Sequence, residues 1–209
     1  MRSFLGGAAR ATLLVAAACS SPQPATAPTP TPSRLSTAAT AALKIDSRER
    51  YYDVTGTSAA ELRDAMRRHG PRDAGGHGDA VTVWNLEWTY GERRTADGCA
   101  LRDVRVTLAV TVTLPRWEPH ADAPRRLVDA WRRFLERVQV HEAGHRAIAE
   151  RYARTLAATL TGLRAPTCDA VWDEAQRTGT RVVEEGRAAN RAYDVETKHG
   201  QTQGVVLEE

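Results

Sequence analysis

The chain has 209 residues, with 29 basic against 26 acidic side chains, a formal net charge of +3 and only two lysines. So even a balance excludes a surface built by bulk charge to hold a polyanion, and no nucleic-acid partner is expected. With 42% hydrophobic residues, the chain has the apolar side chains for one sizeable core.

Residues 1–18 read as a signal peptide. Arg2 and Arg10 flank a short apolar run, and Leu13, Leu14 and Val15 continue it before small residues. The run is too short to cross a bilayer as a helix. Ala16-Ala17-Ala18-Cys19 resembles the bacterial lipobox, with Ala16 where leucine usually stands. The same alanines satisfy the small-x-small rule of the ordinary signal peptidase, so both readings cut after Ala18 and differ in whether Cys19 carries lipid. The chain has three cysteines. Pairing Cys99 with Cys168 in an oxidising compartment leaves Cys19 over, and acylation accounts for the odd one; two free buried thiols are the alternative. The expectation is an extracytoplasmic lipoprotein held to the membrane through Cys19, with a soluble secreted or periplasmic protein as the other reading. Residues 19–45 are rich in Ser, Thr, Pro and Ala and read as a disordered tether. Residues 46–209 then form one domain.

Within that domain, Tyr51 to Gly56 reads as a short strand ending in a turn. Thr57-Ser58 caps a helix through Leu62 and Met66 to His69, closed by Gly70-Pro71. Arg72 to Asp79 is a glycine-rich loop in which His77 reads as a solvated side chain before a metal ligand. Val81 to Tyr90 is rich in β-branched and aromatic residues, Gly91 to Gly98 is polar and turn-like, and Asp103 to Leu114 alternates strictly from Val104 to Leu114. The two strands predict an antiparallel pair with one face on the core, where Trp84 and Trp88 pack.

A long helix follows. Leu127, Val128, Trp131, Phe134, Leu135 and Val138 precede, and Ile148, Ala149, Tyr152 and Leu156 follow, at three- and four-residue steps. Pro124 suits its first turn, Asp122 is a candidate cap, and Thr161-Gly162 a stop. The arginines along it read as a solvated face. A second helix is predicted from Thr167 or Cys168 to about Asn190, interrupted at Gly179. The fold class expected is α+β: a small antiparallel sheet beside the long helix and a second helix after it.

His141-Glu142-Ala143-Gly144-His145 falls in the middle of the long helix. The four-residue step puts both imidazoles on one face, one turn apart, where two ring nitrogens reach one Zn2+ ion. Glu142 beside the first ligand suits a general base for hydrolysis. Gly144 in mid-helix costs about 1 kcal/mol against alanine and so requires a packing or functional reason. The alternative is a pair of core histidines satisfied by hydrogen bonds.

A catalytic zinc site takes a third protein ligand. Ile148 and Arg151 stand where a metzincin would carry glycine and a third histidine, so that class is excluded. Glu174, Glu184 and Glu185 on the second helix are candidates. The stretch Tyr193-Asp194-Val195-Glu196-Thr197-Lys198-His199-Gly200 is more distinctive, with His199 as candidate ligand and Asp194 as alternate ligand or its outer partner.

Tyr52-Asp53-Val54 with Gly56, Trp84 and Trp88, Cys99, Leu114-Pro115 with Trp117, Trp131 with Phe134, the HEAGH helix and Tyr193-Asp194-x-x-Thr197-x-His199-Gly200 form an ordered set. It resembles the bacterial family catalogued as domain of unknown function 922, described as predicted secreted zinc-dependent proteases. The resemblance implies a zincin-like metallopeptidase with zinc at His141 and His145, catalysis at Glu142 and a peptide or protein substrate in the cell envelope. His199 is the expected third ligand and Tyr193 a candidate oxyanion donor. The reading from another class is a lipid-anchored binding or assembly module whose zinc, if present, only staples the fold.

Overall fold

Long strands and two long helices account for most of the chain that the computed structural model describes, residues 41–73 and 76–208. The expected signal peptide, Cys19 and most of the expected tether lie outside the described residues. In chain order the elements are β1 (Ala42–Val54), α1 (Ala59–His69), β2 (Arg72–Asp73), β3 (Gly76–His77), β4 (Val81–Thr95), β5 (Gly98–Trp117), α2 (Arg125–Gly162), β6 (Arg164–Ala165) and α3 (Cys168–Thr197), then a 3-10 turn at Gln201–Gln203. The class is α+β, as expected.

The strand order is β1-β5-β4, with β6 on the start of β5. β4 and β5 form the antiparallel hairpin read from the sequence, but it runs further: the polar stretch after Tyr90 stays paired to Thr95 opposite Gly98. β1 corrects the expected topology. It lies parallel to β5, from Ala42 opposite Arg105 to Val54 opposite Trp117, so the sheet is mixed rather than antiparallel. The strand also moves the start of the folded part from Asp46 to Ala42. Most of its side chains from Ser47 to Tyr51 are exposed, and an edge strand held by its backbone ladder leaves little hydrophobic alternation to read.

β5 supplies the core face. Val104, Val106, Leu108, Val110, Val112 and Leu114 are all buried, and α2 covers them with Leu127, Trp131, Phe134, Val138, Ala149 and Leu156. This is the alternation of the strand meeting the 3.6-residue period of the helix. α2 begins after Pro124, whose carbonyl accepts from the amides of Leu127 and Val128; no side chain, Asp122 included, caps it. α1 keeps its expected cap, with the Ser58 hydroxyl accepting from the Glu61 amide.

α3 departs from its expected bounds. It does not break at Gly179 and continues seven residues past Asn190 to Thr197. Gly179 is where the helix meets Trp88: a Cβ built there would lie 2.2 Å from the indole, and one built at Gly186 would lie 3.0 Å from Trp84. The two tryptophans are therefore packing residues of β4, as the sequence indicated, and their bulk is matched by small residues two turns apart on α3. Cys99 and Cys168 form a disulfide with Cα atoms 5.0 Å apart, tying the start of β5 to the first residue of α3. No helix among the described residues is long and apolar enough to cross a membrane.

Candidate metal centre

α2 and α3 face each other at the middle of α2, and there the two sequence signals meet. His141 and His145 are buried on α2, one turn apart as their spacing dictates. Because α3 continues as helix, Asp194 is carried one turn beyond Asn190 and arrives opposite both imidazoles. Its Oδ1 lies 3.0 Å from His145 Nε2 and 3.4 Å from His141 Nε2, and the two Nε2 atoms are 3.2 Å apart. Three donor atoms on a tetrahedral ion at ordinary zinc bond lengths of about 2.0–2.1 Å would be about 3.3–3.4 Å apart. The triangle here is that size.

The far sides of the rings decide what the near sides offer. His145 Nδ1 is 2.7 Å from Asn190 Oδ1, and the Asn190 amide is oriented by donating its Nδ2 hydrogen to the Gly186 carbonyl at 3.1 Å. His141 Nδ1 is 3.0 Å from Gln203 Oε1. An amide oxygen only accepts, so the bond at each Nδ1 needs the proton there, and a ring that carries that one proton has its lone pair at Nε2. Two ring nitrogens and a carboxylate oxygen thus converge within a few ångströms, an arrangement that a cation can bridge. The residues present fit a divalent ion of the zinc class, by donor type, count and spacing.

Glu142 is turned toward the sheet. The residue is 5% exposed, and its carboxylate accepts from the Thr82 hydroxyl of β4 at 2.6 Å. Burial holds its pKa above the usual carboxylate range, and the Thr82 bond and the two histidines pull the other way. β4 pairs only with β5 among the described residues, so its other edge is unpaired beside this carboxylate.

Tyr193 lies against both imidazoles. Its ring is stacked on His141, centroids 5.1 Å apart, and edge-on to His145 at 4.9 Å. Its hydroxyl accepts from Gln203 Nε2 at 2.9 Å, so its partner is the amide that holds His141. This contact supplies the reason for Gly144: a Cβ there would lie 2.2 Å from the Tyr193 hydroxyl oxygen and 2.4 Å from Cζ. His199 stands apart from the triad. Its side chain is 71% exposed and its Nδ1 is 3.7 Å from Asp194 Oδ1. Lys198 and His199 both take left-handed backbone angles, with φ of 49° and 54°, as the chain leaves α3. Glu174, Glu184 and Glu185 pair instead with Arg177, Arg187 and Arg181 on the surface of α3. The second acid-and-cysteine grouping, Glu92 with Cys99 and Cys168, has its sulfurs consumed by the disulfide.

Sequence reasoning missed Thr82, Asn190 and Gln203. Thr82 is one of several threonines on an alternating strand and carries no motif. Asn190 stands four residues before Asp194, a helical step that becomes visible once α3 is extended. Gln203 is flagged only by Gly200 and Gly204 on either side, which mark a tight turn.

Fold and site define an α+β domain in which a helical His-Glu-x-x-His pair is completed by an aspartate from the neighbouring helix. The chain belongs to a family of bacterial proteins of unknown function, domain of unknown function 922, whose model matches residues 49–200. No curated protein and no solved structure matches it.

Proposed function

We propose that this chain is a zinc-dependent, zincin-like metallopeptidase of the bacterial cell envelope. The observation that carries the reading is the convergence of His141 Nε2, His145 Nε2 and Asp194 Oδ1, with an amide oxygen facing Nδ1 of each imidazole on its far side. Zinc seated there would polarise a scissile carbonyl and lower the pKa of water. His141, His145 and Asp194 hold it, with Asp194 taking the third place that the sequence had suggested for His199. Glu142 accepts the proton of the attacking water and passes it to the leaving amine, and its burial raises its basicity toward that task. Thr82 fixes which way the carboxylate points. His199, exposed at the rim beside Asp194, is assigned to the oxyanion in preference to Tyr193, whose hydroxyl is engaged with Gln203.

The free edge of β4 supports a peptide substrate, since an extended chain can add to such an edge and would then run past Thr82 and Glu142. The Cys99–Cys168 disulfide supports an oxidising compartment, and with it export and a lipid anchor at Cys19.

Metal analysis of purified protein joined to cleavage of an unbiased peptide library tests the proposal. Wild type is expected to hold one zinc and to cleave, His141→Ala to lose both, and Glu142→Gln to keep zinc while its rate falls about 10²- to 10⁴-fold. Bound zinc without cleavage in wild type would move the chain to the binding-module class. Cleavage by Glu142→Gln at the wild-type rate would remove Glu142 from the mechanism.

A further inference from the structure

Residues 201–207 lie past the helix that carries Asp194 and past the residues matched by the family, yet they are built into the site. Gly200, with φ of 82°, turns the chain back against His141, where a Cβ would lie 3.1 Å from the ring. The Gln203 and Val205 amides donate back to the Gly200 carbonyl at 2.9 and 3.1 Å, and the Thr202 hydroxyl donates to the Thr197 carbonyl at 3.2 Å. Gly204 passes Arg137, one turn before His141 on α2. Leu207 is then buried at 2% exposure, and its carbonyl accepts from the Arg63 guanidinium of α1. The segment is thus a strap pinned at both ends, and between the pins stands Gln203.

We propose that Gln203 is a positioning residue for the metal-ligating imidazole of His141, fixing its tautomer and its rotation through one amide. The inference rests on the zinc reading above and deepens it. The Gln203 oxygen accepts from His141 Nδ1, and the nitrogen of the same amide donates to the Tyr193 hydroxyl. Tyr193 in turn stacks on the His141 ring, within 13° of parallel. The imidazole is therefore gripped at its edge by the amide and at its face by the phenol that the same amide holds. Without Gln203, the proton of a neutral ring is free to move to Nε2, which turns a lone pair in the triangle into a hydrogen pointing at the ion. His145 has its own amide in Asn190, but that residue is on α3, so only His141 depends on the strap.

Two readouts test this on the full chain. In metal-free wild type, two-bond ¹H–¹⁵N spectra of the imidazoles are expected to show His141 as the Nδ1–H tautomer; an Nε2–H tautomer overturns the proposal and requires no variant. In zinc competition titrations, Gln203→Ala is expected to bind about 10- to 100-fold more weakly. Gln203→Glu, which keeps an acceptor at Nδ1, is expected to return to within a few-fold of wild type. Thr202→Val, which loses a strap hydrogen bond without touching either ring, should match wild type. Equal affinity for Gln203→Ala and wild type, or no rescue by Gln203→Glu, overturns the assignment. Failure of wild type to bind zinc overturns the metal reading itself, and is told apart because the tautomer is read without metal.

Discussion

The same substitution at two points of α2 should have opposite effects. Replacing a helical glycine by alanine removes unfolded-state freedom and favours helix by up to about 1 kcal/mol, provided the methyl has room. At Gly162 it has: no atom lies within 4 Å of the built Cβ. At Gly144 it does not, with Tyr193 atoms at 2.2, 2.4 and 2.8 Å. That tyrosine cannot simply swing aside, since its ring is packed on both imidazoles and its hydroxyl is bound to Gln203. Overpacking of this kind costs roughly 1–3 kcal/mol. Gly162→Ala should thus gain a few tenths of a kcal/mol and Gly144→Ala lose about 0–2 after the helix gain is subtracted. For a domain of this size, each kcal/mol moves Tm by about 2–4 °C, so in calorimetry of the metal-free protein Gly162→Ala should melt about 1 °C above wild type and Gly144→Ala up to about 8 °C below it. Gly144→Ala should also weaken zinc binding, since Tyr193 and with it the amide on His141 must move. Equal melting temperatures for the two variants would refute the packing account of the mid-motif glycine.

Thr82→Val removes the hydroxyl that stabilises the Glu142 carboxylate, leaving burial less opposed. The base must be ionised to act, so activity falls as pH drops through its pKa; that acid limb, already above the ordinary carboxylate range, should move further up in the variant. An unchanged limb in the pH profile of kcat/KM would remove Thr82 from its proposed task. Cys99→Ser with Cys168→Ser opens a loop spanning 69 residues of sequence and should lower stability by about 4 kcal/mol in urea unfolding, as should reduction of wild type. A loss below about 1 kcal/mol would mean that the helices alone hold the two ends together.

Two kinds of information were local enough to be legible before any fold was known. The face that His141 and His145 share follows from four residues of helical rise and the β5 core face from strict alternation; the Cys99–Cys168 pairing was reached less locally, from cysteine parity in a chain read as exported. α3 was cut short because its periodicity past Asn190 rests on polar residues, Tyr193, Asp194 and Thr197, whose reason for facing inward is the site itself. A hydrophobic pattern cannot announce a helix whose inner face is polar. β1 was missed for the complementary reason, since its ladder is backbone and most of its later side chains face solvent.

The sequence by itself determined that two imidazoles and a carboxylate share one turn of helix, because that geometry is covalent and local. Which further atom joins them was decided by tertiary structure alone. Asp194 and His199 are five residues apart and both suit a metal, and only the continuation of α3 through Thr197 aims the one at the imidazoles and leaves the other at the rim. The amides of Asn190 and Gln203 were beyond reach for the same reason: hydrogen bonds spanning 45 and 62 residues depend on how two helices and a strap pack, which no local spacing encodes.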